Sequence, residues 1–156
     1  MNQQRRDALK KAGGLGFLGL LVAAGFIKPE IAEAAWNEAA FKAGNLKKTL
    51  QALGAGQATK AEGVSLNAPD IAENGAVVPI GVSSQVANIQ QIAILIEKNP
   101  DALTALFTLP AGTEANVNTR CKMGQTSNVV ALVKTTDGKF FYAEKEVKVT
   151  LGGCGG

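Results

Sequence analysis

Between residues 61 and 150 the chain is cut into short β-branched and aromatic runs by turn residues, and this punctuation constrains the fold more than any other feature. The runs are 64–66, 76–82, 91–97, 102–108, 114–123, 128–134 and 139–150. The breaks include Ala68-Pro69, Asn74-Gly75, Lys98-Asn99-Pro100-Asp101, Leu109-Pro110-Ala111-Gly112, Gly124-Gln125-Thr126-Ser127 and Asp137-Gly138. β-Branched residues favour extended backbone, whereas Gly, Pro, Asn and Asp favour turns. Seven short strands with no helix between them predict a mainly β fold, an immunoglobulin-like β-sandwich. Asp137-Gly138, between Val129-Val130-Ala131-Leu132-Val133 and Phe140-Phe141-Tyr142, predicts a hairpin whose turn requires positive φ.

Ahead of the strands lies a short helical segment. Trp36, Ala40, Ala43, Leu46, Leu50 and Leu53 recur at three- and four-residue steps and make one apolar face. Gly44-Asn45 is a break point between two short helices, and Gly54-Ala55-Gly56 ends the helical region. The face is expected to pack on the chain's own sheet in preference to a partner.

The N-terminus reads as an export signal. Arg5-Arg6 is followed by Leu9 and Lys10, then by an apolar stretch over 12–27 diluted with five glycines. That stretch is shorter than the roughly 20 residues a membrane span requires, and it runs into Ala32-Glu33-Ala34, a small-x-small cleavage pattern. Cleavage is expected after Ala34, leaving no stable membrane anchor. The paired arginines point to the twin-arginine route, which moves folded proteins. With no histidine, no phosphate loop, no dinucleotide fingerprint and no Cys-x-x-Cys, no cofactor motif explains folding before export. Export together with a partner subunit lacking its own signal is the expectation that remains. The boundaries expected are 1–34 for the signal, 35–56 for the helical segment, 57–151 for the sandwich and 152–156 for a tail.

Charge narrows the partners. Five of the 16 basic and three of the 13 acidic residues fall in 1–34, leaving 11 and 10 and a net charge of +1. No basic patch with interleaved aromatics is present, so nucleic acid is not an expected partner.

The two cysteines differ in setting. In Thr119-Arg120-Cys121-Lys122-Met123, charged residues alternate with the thiol and its neighbours, so a period of two turns Cys121 inward as a buried structural residue. An exported chain with two cysteines also admits a disulfide. An inward Cys121 is hard to attack, however, and an intermolecular pair of Cys154 is the more accessible oxidation product. Cys154 stands in Gly152-Gly153-Cys154-Gly155-Gly156, where glycines on both sides leave the sulfur without packing neighbours. Fully extended, these five residues reach at most about 16–18 Å. A thiol there is expected to titrate near the reference of about 8.5, mostly protonated at neutral pH. No base stands beside it in the sequence. The thiol is therefore not self-activated, and no catalytic residue and no metal ligand is expected. Prenylation requires the cysteine fourth from the end, and here it is third.

The twin-arginine signal, Ala-Pro-Asp-Ile-Ala-Glu-Asn-Gly-Ala at 68–76 followed by Val78-Pro79-Ile80, the β-rich domain and the terminal Gly-Gly-Cys-Gly-Gly together resemble the SoxY family of the thiosulfate-oxidising Sox system. The resemblance implies a periplasmic, non-enzymatic carrier that holds sulfur intermediates covalently on Cys154. Gly152, Gly153, Gly155 and Gly156 would form its flexible arm, and no cofactor would be bound. It further implies a heterodimer with a SoxZ-like subunit, served by a SoxAX-like cytochrome, a SoxB-like hydrolase and, in some systems, a SoxCD-like dehydrogenase. Nothing in the resemblance assigns a role to Cys121. Two other readings stand beside it. One is a ubiquitin-like carrier with a thiocarboxylate at Gly156; the other is an exported immunoglobulin-like interaction module with an incidental tail.

Overall fold

The computed structural model describes residues 37–152. The signal and its cleavage site, Trp36, and Gly153 to Gly156 with Cys154 among them lie outside the described residues.

Two short helices come first, α1 (Glu38–Phe41) and α2 (Leu46–Ala52). Each starts on an asparagine cap: Asn37 Oδ1 accepts from the Ala40 amide at 3.0 Å, and Asn45 Oδ1 from the Lys48 amide at 3.0 Å. Gly44, at φ +77°, makes the expected break, and its carbonyl accepts from the Ala102 amide at 2.9 Å.

Nine strands follow: β1 (Thr59–Lys60), β2 (Val64–Asn67), β3 (Ile71–Asn74), β4 (Val78–Ser84), β5 (Ile89–Ile96), β6 (Leu103–Thr108), β7 (Asn116–Cys121), β8 (Ser127–Thr135) and β9 (Phe140–Leu151). They form two sheets. The larger runs β6-β5-β8-β9, with β1 and β3 sharing the far side of β9; the smaller runs β2-β4-β7. The sandwich expected from the sequence is present, with nine strands among the described residues in place of seven. The two unforeseen ones, β1 and β3, pair parallel with opposite ends of β9, at Thr59↔Phe141 and Ile71↔Lys148. Both are too short to show a period. β3 also sits between the Ala68-Pro69 and Asn74-Gly75 breaks, in a segment the turn residues mark as irregular.

The core fills the space between the sheets. Ile92, Ile94, Ile96, Val129, Ala131, Val133 and Val147 of the larger sheet face Val78, Ile80, Val82 and Cys121 of the smaller. The opposite face of the larger sheet, with Ala93, Leu95, Val130 and Leu132, is covered by Ala40, Leu46, Leu50 and Leu53 of the helical segment. The helices therefore pack on the chain's own sheet, as expected. Cover on both faces is why β5 and β8 read as unbroken apolar runs instead of alternating ones. Among the described residues every buried side-chain nitrogen and oxygen is hydrogen bonded.

At the β8–β9 hairpin, only Gly138 takes positive φ, +83°. The Gly138 amide donates to Thr135 O at 3.0 Å, so the loop is a three-residue turn closed by a left-handed glycine, not a two-residue primed turn. Asp137 accepts from the Thr135 hydroxyl and pairs with Lys139, and these two contacts, in that order, hold its carboxyl down to about 2.

Candidate functional site

The site is built where the end of β9 meets two turns. Leu151 is the last residue of β9 and is held by its own backbone: Leu151 O accepts from the Gly75 amide at 2.7 Å. The Gly75 carbonyl in turn accepts from the Met123 amide at 2.7 Å, tying the β3–β4 turn to the segment after β7. Asn99, from the β5–β6 turn, locks that segment with both ends of its amide. Its Nδ2 donates to Lys122 O at 2.7 Å and its Oδ1 accepts from the Gly124 amide at 3.2 Å. One residue pair up, Thr150 Oγ1 donates to Glu73 O at 3.0 Å and the Val149 amide donates to Thr126 Oγ1 at 2.9 Å. Two turns therefore meet the root of the tail and fix it, and Asn99 of the β5–β6 turn braces one of them.

Gly152 belongs to this seat. It is half-buried, and a β-carbon on it would lie 2.3 Å from the carbonyl oxygen of Gly124, a distance real side chains do not tolerate. Gly152, expected as the first link of a flexible arm, sits against the backbone of Gly124. Its missing side chain permits a close backbone approach, the other use of glycine. Gly152 on this geometry belongs with the body, one residue beyond the 57–151 boundary expected from the sequence. Gly152→Val is expected to break the seat, raising amide exchange at Gly75 at least tenfold. Gly153→Val should leave that exchange at the wild-type rate, and equal rates in both variants would contradict the assignment.

Cys121 lies on the inner face of β7, only 4% exposed and opposite Val78. Burial pushes its thiol up to about 11 from an ordinary value of 9.0. The neutral thiol is favoured in the folded state, so the fold keeps this contribution below pH 9 and loses it as pH rises from about 9 to about 11. At neutral pH Cys121 is therefore held as the unreactive neutral thiol. A thiol reagent should find one fast cysteine, Cys154, with Cys121 slower by at least a hundredfold; comparable rates would refute the inward assignment.

The chemistry available elsewhere is sparse. Among the described residues, no group of three or more His, Cys, Asp or Glu is placed to hold a metal ion. No helix among them is long and apolar enough to cross a membrane. A cleft of about 440 Å³ on the outer face of the smaller sheet is lined by Asn67, Pro79, Gly81, Asn118 and Arg120, among others, with Arg120 its one ionisable side chain.

The family model described as "Sulfur oxidation protein SoxY" matches residues 50–154. Among solved structures, the sulfur carrier protein SoxY from Chlorobium limicola f thiosulfatophilum is 33% identical, with a TM-score of 0.55, over 62% of this chain and 88% of that one. The E23A variant of the superoxide reductase neelaredoxin from Ignicoccus hospitalis aligns at 17% identity and a TM-score of 0.50, over 64% of this chain and 86% of that one. A putative superoxide reductase from Thermotoga maritima aligns at 15% and 0.50, over 55% and 84%. Identities that low carry the sandwich architecture alone. A search of curated proteins finds no match.

Proposed function

Because this chain belongs to the SoxY family of sulfur oxidation proteins, we propose that it carries sulfur intermediates covalently on Cys154, at the end of a short C-terminal arm rooted at Gly152. The observation that carries the proposal is the extent of the family match, which runs through the sandwich and the seat and ends on Cys154 itself. The 33% identity to a structure described as a sulfur carrier protein supports the carrier role.

The physical chemistry fits. Joining a thiol to the outer sulfur of thiosulfate forms a sulfur–sulfur bond and releases one proton and two electrons, so loading requires an oxidant. A SoxAX-like cytochrome is the partner proposed to accept those electrons. A SoxB-like hydrolase and, where present, a SoxCD-like dehydrogenase would then process the carried group. This chain's part is to present the sulfur. A tether keeps the carried group at high effective concentration for whichever enzyme docks on the body. We place the carrier in the periplasm, in a heterodimer with a SoxZ-like subunit, on the strength of the twin-arginine signal and the family. The sandwich gives no support to a ubiquitin-like carrier.

Intact-mass analysis of the natively purified protein, incubated with thiosulfate and the loading cytochrome, tests this. The expected result is a reductant-labile mass increase confined to the peptide that contains residues 152–156. Sulfur on the Gly156 carboxylate, or no adduct at all, would overturn it.

A further inference from the structure

The seat at Gly152 shortens the arm, and a short arm dictates where an enzyme must dock. From Gly152 to Cys154 two residues span at most about 7 Å, against about 10–11 Å for three residues hanging free from Leu151. Leu151 cannot pay out more chain, because its carbonyl is held by Gly75 and the residues before it by Thr126 and Glu73. Any protein that brings a reacting group to the sulfur must therefore touch the rim from which the arm emerges.

That rim is chemically distinct from the rest of the surface. The large apolar side chains that stand exposed among the described residues are Ile71 at 58%, Val77 at 53% and Leu151 at 65%. All three belong to this corner of the fold. Leu151 is in register with Asn74, and the Val77 amide donates to Asn74 O at 3.4 Å, so Val77 and Leu151 both stand at the Asn74-Gly75 turn. Ile71 extends the patch three residues back along β3. Exposed Glu73 and Lys148 stand on the same paired strands, and exposed Lys122 precedes Met123, whose amide donates to Gly75 O. An apolar centre inside a charged surround is the anatomy of a protein interface. Neither Val77 nor Leu151 is needed by the core, which is closed by their neighbours Val78 and Val149.

We propose that Val77 and Leu151 form an apolar collar at the arm's root that docks against the rim of the catalytic cavity of the enzymes acting on Cys154. This rests on the carrier reading above. The occupant is a protein surface with a matching apolar lip around a narrow opening. The collar gives unrelated enzymes one common contact, placed where the arm's reach obliges them to sit.

The test uses the full processed chain in complex with its partner subunit, with Val77→Ser and Leu151→Ser singly and together. The rate at which the purified loading cytochrome charges Cys154 with thiosulfate is followed by intact mass. In parallel, the same thiol is titrated with a small maleimide, which requires no docking. The double variant should lose about tenfold in kcat/KM for charging, the size expected for removing two anchors from the centre of an interface. Its maleimide rate and melting temperature should match the wild type. Ile71→Ser, farther from the root, should change charging by twofold or less.

Charging of the double variant within twofold of wild type would overturn the collar, as would a parallel loss of maleimide reactivity, which would locate the effect in the arm. Dissociation of the partner subunit would also overturn it, by assigning the patch to the permanent interface. Failure of the wild-type chain to be charged on Cys154 would sink the carrier reading itself, and the collar with it.

Discussion

Cys154→Ser is expected to abolish sulfur loading completely while leaving the folded body unchanged. The reason is chemical. A serine oxygen cannot form the sulfur–sulfur bond, and the chain's other thiol, Cys121, is buried against Val78 with its ionisation suppressed. Nothing else in the chain substitutes. Cys154 follows the last residue of β9 by three positions, outside the strands that build the core. The measurement is the intact mass after incubation with thiosulfate and the loading cytochrome, with a thermal melt alongside. Loss of the adduct with an unchanged melt is the expected pair of results. A wild-type level of adduct in Cys154→Ser would remove the basis for the carrier role.

The second large effect is on the body, and it is the converse of the first. Ile94 is fully buried in β5, facing the smaller sheet. Its register neighbours are Ala131 on β8 and Ala105 on β6, so a large side chain fills space left by two small ones. Ile94→Ala removes three carbons from a site whose neighbours are too short to close in. The expected destabilisation is accordingly in the upper part of the range for such substitutions, about 4 kcal/mol. For a domain of this size that corresponds to a fall in melting temperature of roughly 15 °C. Urea or thermal unfolding measures it. A loss below about 1 kcal/mol would mean that the two sheets do not meet at Ile94 as described. Well below the melting temperature, arm chemistry in Ile94→Ala should stay intact, so the two variants separate carrying from folding.

The same separation runs through what is legible in the sequence. β5, β8 and the hairpin at Asp137-Gly138 are visible because β-branched runs and turn residues act locally, on the dihedral angles of the residues that carry them. The break at Gly44 is local in the same sense, as is the alternation that turns Cys121 inward. The cysteine proposed as the carrier stands out for a related reason: a thiol among glycines has only its own chemistry to offer.

Local chemistry alone thus determined the class of fold and the direction of Cys121. Only the tertiary structure decided that Ile71–Asn74 is a strand, since its partner on β9 lies 77 residues away and four residues carry no period of their own. It alone decided that Gly152 belongs to the body, because the carbonyl that forbids a side chain there comes from Gly124, 28 positions earlier. The physical difference is that backbone preference is set by a residue's immediate neighbours. Close approach is set by whatever folding brings alongside, and that closeness leaves no mark in the order of the residues.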